Sequence, residues 1–376
     1  MSNSVPKLID DHVHVGLLGN RWPEWGRLSE WYRQQLTYKI FLLFAGIEAD
    51  KVSDTYLHEN TVKTINTSCM EKVVCLALDP VYDNSGKRRE EASNVWVDNE
   101  YIIQKLQKDS DKVLLGASVH PYDPEFEDRV KKYVDKGAVL LKWVPSAQQI
   151  NLADERVARA LEFLATVKDG KPLPLLLHVG PEYAIPTTDD KTFTYDFLSW
   201  SWIEKARNWF RFGNRWHTPQ TKKIRENLDR ALKSGAVIIF AHCGLPYFAS
   251  GLLAFLEHSD HKVVKSYLDK NKQNNYTGRC YADISACCTP FREAYFQDIA
   301  NLPAEYLIFG SDFPTPVFEI YADRKEKLKD FKAMLDGYFE RIIVPQDNLL
   351  DVNYRYLRQA FPGHSLFSNF SNLIKP

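Results

Sequence analysis

Eight short apolar runs recur along this chain, each separated from the next by a stretch with helical periodicity. This alternation limits the possible folds more than any other feature. The runs are residues 8–15 (LIDDHVHV), 72–81 (KVVCLALDPV), 113–121 (VLLGASVHP), 138–145 (AVLLKWVP), 173–180 (LPLLLHVG), 236–244 (AVIIFAHCG), 280–288 (CYADISACC) and 306–314 (YLIFGSDFP). Most are rich in Val, Ile and Leu and bounded by Gly or Pro, the pattern of strands buried on both faces. Between them, PEFEDRVKKYVDKG carries its acids early and its lysines late and closes at Gly137; DERVARALEFLATVKDG repeats that plan and closes at Gly170. This polarity suits the helix dipole and a glycine C-cap. Strand alternating with helix predicts an α/β fold with a parallel sheet. Eight units, with no G-x-G-x-x-G turn after the first run, predict a closed (β/α)8 TIM barrel over an open doubly wound sheet.

The 376 residues are read as one domain, 1–376, because no linker, repeat or low-complexity tract divides them. With 48 basic and 49 acidic residues, the net charge of −1 argues against nucleic acid or an anionic membrane as the main partner. A hydrophobic content of 44% excludes global disorder. The start of the chain shows no secretory pattern, and the apolar stretch at 40–47 is too short to span a bilayer. Six cysteines show no C-x-x-C pair and sit mostly in apolar runs, as reduced buried thiols do. A cytoplasmic protein with a small-molecule substrate is the expectation.

Two connections exceed a plain barrel loop: about 16–53 after the first strand and about 181–221 after the fifth. They hold seven of the nine tryptophans, Trp22, Trp25 and Trp31 in the first and Trp200, Trp202, Trp209 and Trp216 in the second. Both leave the C-terminal ends of strands, where barrel active sites are built, so they are expected to wall or cover a site. Packing against one another, or a homo-oligomer interface, is the alternative. Arg207, Arg211 and Arg215 recur every fourth residue in SWIEKARNWFRFGNRWH. They form either a solvated face or, with Trp202, contacts for a substrate carboxylate.

Ionisable residues appear where the apolar runs end. The first run ends in Asp11-His12-Val13-His14; the third ends at His120; the fourth carries Lys142, the fifth His178, the sixth His242 and the eighth Asp312. Each alone has an ordinary explanation: a hydrogen-bonded core histidine, a capping aspartate, or, for His120 in HPYDPEF, a turn into the next helix. As a set they converge on one barrel mouth. His12 and His14 are two apart and point to the same side of a strand. Several neutral imidazoles in a dry mouth need compensation, and imidazole with carboxylate suits zinc, iron or manganese.

The combination of IDDHVHVG, His178, His242 and FGSDFP resembles the amidohydrolase superfamily of metal-dependent hydrolases. Within it, the chain is most similar to the amidohydrolase-related branch that includes aminocarboxymuconate semialdehyde decarboxylase-like enzymes. The resemblance implies His12, His14, His178 and Asp312 as metal ligands, with Asp312 also handling the proton of the attacking water. It implies His242 as the residue that orients water or polarises the substrate. One divalent ion, zinc first and manganese or iron compatible, is the expected cofactor. Lys142 either contacts substrate or, as a carbamate, bridges a second ion.

On physical grounds a divalent ion generates hydroxide near neutral pH, a neighbouring carboxylate carries the proton, and an imidazole opposite stabilises an oxyanion. The expected reaction is hydrolysis of a C–N or C–O bond in an amide, cyclic amide, lactone or ester. The alternative is non-oxidative decarboxylation or hydration of a small unsaturated or aromatic acid at the same positions. A barrel serving only as a scaffold is disfavoured because every expected site position is filled.

Overall fold

The computed structural model describes residues 8–36, 51–180, 221–246, 252–273, 275–288, 295–315 and 348–375, with positions 38, 39, 42, 47, 185 and 292. Eight parallel strands form one sheet: β1 (Ile9–His14), β2 (Lys72–Leu76), β3 (Val113–Ala117), β4 (Ala138–Trp143), β5 (Leu175–Leu177), β6 (Val237–Phe240), β7 (Arg279–Asp283) and β8 (Leu307–Ile308). They pair in chain order. The sheet closes where Val13 bridges Phe313 in parallel, with His14 N donating to Phe313 O (2.8 Å) and Asp312 N to His12 O (2.8 Å). This is the expected TIM barrel.

Side-chain alternation sorts two cores. Ile9, Val74, Leu76, Leu140, Leu176, Ile239 and Ile308 fill the barrel interior. Val73, Cys75, Leu115, Leu141, Trp143, Leu177, Ile238 and Phe240 face outward, in the same cluster as buried residues of the surrounding helices. Those helices are α1 (Asp54–Thr67), α2 (continuous through Asn99–Tyr101, the π-helical turn Ile102–Leu106 and Gln107–Asp109), α3 (Phe126–Asp135), α4 (Glu155–Leu164), α5 (Thr221–Lys233), α6 (Leu252–Lys272), α7 (Phe296–Ala300) and α8 (Leu349–Ala360). A last helix, α9 (Leu366–Leu373), lies at the N-terminal end of the barrel, where Asn369 Nδ2 donates to Ala304 O (2.9 Å) and Leu307 O (2.7 Å). Its Phe370 joins the interior cluster and closes the floor, so that among the described residues the C-terminal end of the strands is the open face.

The strands are shorter than the apolar runs that announce them. Within 306–314 only Leu307–Ile308 is strand, because the chain beyond bonds sideways to β1 and Asp312 turns left-handed (φ 61°). The loop after β1 is anchored by a single carboxylate: Asp54, at the start of α1, accepts from the N–H groups of Leu18 (2.5 Å), Gly19 (3.2 Å), Asn20 (2.8 Å) and Arg21 (2.6 Å). Gly26–Leu28 then pairs antiparallel with Val95–Val97. Trp22 and Trp25 stack near Tyr101 of α2 (5.9 and 6.5 Å) and under Lys105. These two tryptophans therefore pack against each other (centroids 6.3 Å) and on an outer helix. Residues 186–220, with Trp200, Trp202, Trp209, Trp216, Arg207, Arg211 and Arg215, lie outside the described residues. Among the described residues, no helix is long and apolar enough to cross a membrane.

His120 belongs to a structural cluster beside β2 to β4, the turn expected for it. Its Nδ1 accepts from Tyr122 N (3.1 Å), its Nε2 donates to Gln148 O (2.9 Å), and its own N–H donates to Asp79 Oδ2 (2.8 Å). Arg129 of α3 reaches the same carboxylate (3.0 and 3.2 Å), bonds Asp123, and lies 3.0 Å from the Tyr82 hydroxyl. Burial pushes Asp79 up, and Arg129 opposes that rise. Arg129→Met leaves the buried Asp79 carboxylate without its cation. We expect a loss of about 3–5 kcal/mol in chemical denaturation, with an unchanged m-value showing that the native state itself is intact.

Candidate metal centre

The closing strands bring together residues that are 300 positions apart in the sequence. His12 and His14 leave β1 on its inner side at the open face, next to a register irregularity between Asp10 and Val13. Asp312 reaches them from the segment after β8. His12 Nε2 and His14 Nε2 are 3.1 Å apart, and Asp312 Oδ1 lies 3.3 Å from the first and 3.1 Å from the second. A tetrahedral site with bonds of about 2.1 Å separates its ligand atoms by about 3.4 Å, so this spacing fits one divalent ion among the three. His12 is fully buried, while the His14 side chain keeps 27% of its exposure, so the donor set lies at the rim of the mouth.

Lys142, on the inner side of β4, places Nζ 3.1 Å from His12 Nε2. It is buried, as expected from AVLLKWVP. His178 and His242 are also buried, their rings 5.2 Å apart and nearly perpendicular. His242 stacks on His12 with centroids 5.2 Å apart. Among the described residues, two His/Asp groups have donor atoms converging closely enough for an ion: His12–His14–Asp312 and His12–His242–Asp283. His178 is in neither of these groups; it stands beside them, next to His242.

The second group is a hydrogen-bond hub. Its centre is taken by the Ser285 hydroxyl, 3.0 Å from His12 Nδ1 and 2.8 Å from His242 Nδ1, and bonded to Asp283. Asp283 closes β7 and is fully buried, with Oδ2 2.7 Å from His12 Nδ1 and Oδ1 accepting from His242 N at 2.7 Å. Burial would raise its pKa, but His12, His242 and Ser285 together outweigh it and hold the carboxyl well below the usual range. Sequence reasoning assigned no role to Asp283. The signal was there: it is the lone carboxylate of the run 280–288, at the strand end, like the other site residues.

The loop after β6 is held in an uncommon shape. His242 (φ 56°), Cys243 (φ 54°) and Gly244 (φ 60°) are left-handed in succession. Two of the three carry side chains, at a cost on the order of 1 kcal/mol each. The Asp283 bond to His242 N and the Cys243 Sγ donation to Asp283 O (3.1 Å) hold the turn. His242 Nδ1 lies 3.1 Å from the carbonyl oxygen of Ser285, which can only accept, so Nδ1 carries the proton. Burial, then the Arg292 guanidinium, lowers its pKa to about 3, so the ring is neutral and its Nε2 is an acceptor. Burial and then Lys142 bring His12 down to about 4. Asp312 is held well below the carboxylate range: burial pushes it up, but His242, His12 and His14 outweigh that.

The two acids before His12 behave differently. Asp10 Oδ1 accepts from His12 N (3.1 Å) and Ser311 N (2.9 Å), stitching β1 to the segment after β8. Neither oxygen of the fully buried Asp11 has a hydrogen-bond partner among the described residues, so Asp11 does not orient an imidazole. Gly310 leaves room for it: a Cβ there would lie 2.5 Å from Asp11 Oδ1 and 2.8 Å from His12 Cβ. Gly310→Ala should displace β1 at its histidine, destabilising the barrel by about 1–3 kcal/mol. It should also weaken divalent-ion binding more than a core substitution of equal cost such as Leu140→Val. Calorimetric titration of both variants measures the difference.

Solved structures of similar architecture span nearly the whole chain. A probable 2-pyrone-4,6-dicarboxylic acid hydrolase from Acinetobacter baumannii is 13% identical with a TM-score of 0.42, over 93% of this chain and 99% of that one. An IDCase from Metarhizium anisopliae is 14% identical with a TM-score of 0.48, over 100% and 97%. A dihydroxybenzoic acid decarboxylase from Polaromonas, with bound manganese and 2-nitroresorcinol, is 12% identical with a TM-score of 0.40, over 95% and 97%. No known family description and no curated protein matches the sequence.

Proposed function

We propose that this chain is a metal-dependent hydrolase of the amidohydrolase superfamily, in its amidohydrolase-related branch. It would use one divalent ion to cleave a C–N or C–O bond in an amide, cyclic amide, lactone or ester. The observation that carries this reading is the approach of His12 Nε2, His14 Nε2 and Asp312 Oδ1 to within 3.3 Å of one another at the open face. We assign these three residues to the ion; His178, which the resemblance implies as a fourth ligand, stands next to His242 outside the converging group and would have to turn toward it. Zinc, manganese and iron all suit such nitrogen and oxygen donors. When bound, the ion supplies Lewis acidity and lowers the pKa of water toward neutrality.

The remaining roles follow from the side chains. Asp312 is ionised, and its Oδ2 is steadied by the Thr315 hydroxyl at 2.8 Å. It takes a proton from the attacking water and returns it to the leaving group. His242, with its proton on Nδ1, offers Nε2 as an acceptor, so it orients water or a substrate donor. Orienting water is one of the two roles that the resemblance implies for it. Lys142 donates toward His12 at 3.1 Å, which favours a substrate or site contact over a bridging carbamate. The same groups support decarboxylation as the second reading. Two buried cations, Lys142 and Arg292, act electrostatically on His178, and a substrate bearing a carboxylate would complement them.

Elemental analysis of untagged protein should give about one equivalent of a transition metal, lost in the His12→Ala/His14→Ala double variant. Retention of the metal in that variant would refute the assignment, and a value near two would restore the bridging carbamate. Asp312→Asn should remain folded and lose turnover by about 10²–10⁴-fold. Screening lactones, cyclic amides and small unsaturated acids separates the reactions: acid or ammonia release supports hydrolysis, and carbon dioxide release replaces it with decarboxylation.

A further inference from the structure

We propose that Asp283 is a positioning residue that sets the tautomer of His12 from behind, so that the Nε2 lone pair faces the open mouth. Three observations converge on this. Asp283 Oδ2 lies 2.7 Å from His12 Nδ1, and an ionised carboxylate accepts only, so the proton between them sits on Nδ1. On the other side of the ring, Lys142 Nζ lies 3.1 Å from Nε2 and donates toward it, while Asp312 Oδ1 stands farther off at 3.3 Å in an ion-pair contact. The carboxylate itself cannot turn away. Its Oδ1 is engaged by His242 N (2.7 Å), Ser285 N (3.1 Å) and the Ser285 hydroxyl.

The bonds to Oδ1 give the carboxylate a direction. Two backbone N–H groups occupy Oδ1, so Oδ2 is left for the imidazole. An isosteric amide at this position must keep its oxygen toward those two donors, which places its NH2 against His12 Nδ1. The NH2 donates, Nδ1 must accept, and the imidazole proton moves to Nε2. Asp283→Asn therefore reverses the tautomer with no change in shape at position 283, and the Nε2–H turns from Lys142 to Asp312 Oδ1, 3.3 Å away, as its acceptor. It closes the Nε2 lone pair that faces His14 and Asp312. The same carboxylate holds His242 N, so one group on β7 aligns two histidines, on β1 and after β6. A ligand imidazole oriented through its second nitrogen commonly loses 10–100-fold in metal affinity when that partner is removed.

The affinity consequence rests on the metal reading above; the tautomer does not, and the two are tested separately. Chelator-treated protein labelled with ¹⁵N-histidine is read by long-range ¹H–¹⁵N correlation, with the His12 signal assigned from a His12→Gln variant. The wild type should show the Nδ1–H form, Asp283→Asn the Nε2–H form, and Ser285→Ala the Nδ1–H form, because the Oδ2 contact survives. Titration with Zn²⁺ should show a 10–100-fold weaker site in Asp283→Asn. An Nε2–H signal in the wild type overturns the proposal, and this holds even if the variant does not fold. An unreversed tautomer in folded Asp283→Asn overturns it as well. Reversal on schedule in a protein that binds no divalent ion upholds the positioning role and removes the metal-dependent function instead.

Discussion

The candidate centre depends on the closure of the sheet between its last strand and its first. β8 is only two residues long, and the weight of the closure falls on the segment after it. There, Asp312 N bonds to His12 O, Phe313 O accepts from His14 N, and Ser311 N bonds to the Asp10 carboxylate. The backbone bonds that close the barrel are therefore made by the same residues, or their neighbours, that present the converging donors. Any slip of one residue at this seam would turn His12 and His14 toward the helices and carry Asp312 away from them. Gly310 is part of the same constraint, since the space a side chain would need there is held by Asp11 and His12.

Around this seam the molecule concentrates features that are costly elsewhere. Asp10, Asp11, His12, Lys142 and Asp283 are all buried within a few residues of strand ends, and His242, Cys243, Ala286 and Asp312 adopt left-handed backbone conformations there. Burial pushes Asp10 up to about 7 and Asp11 well above the carboxylate range. Stability comes from the other end of the barrel, where an apolar interior is sealed by Phe370 and the outward faces of the strands pack on helices. Such a division, strain at one face and close packing at the other, is the usual arrangement of a barrel that carries chemistry.

Much of the architecture was legible along the chain, because a buried parallel strand and an amphipathic helix each have a period that a short window reveals. The ionisable residues at strand ends were legible for a related reason: an apolar run that stops at His12, His178, His242 or Asp312 breaks its own rule. Asp283 went unassigned although it breaks the rule in the same way, since its meaning lies in the direction of two oxygens and not in its presence. The tryptophans show the reverse case. Aromatic content placed Trp22 and Trp25 in a loop leaving a strand end, but which surface a loop covers depends on the helix beside it, here Tyr101 and Lys105 of α2.

Periodicity and residue type along the chain were sufficient for the eight strand–helix units, the closed barrel and the set of histidines and aspartate at its mouth, because these follow from short-range burial patterns. Folding alone decided that His12 and Asp312 meet at 3.3 Å, that His178 stands beside His242, and that His242 presents an acceptor. It also decided that Asp283 rather than Asp11 backs the first histidine. The physical reason is that a distance between strands, the orientation of a carboxylate and the placement of an imidazole proton are each set by groups far apart in sequence, which only the closed sheet brings into contact.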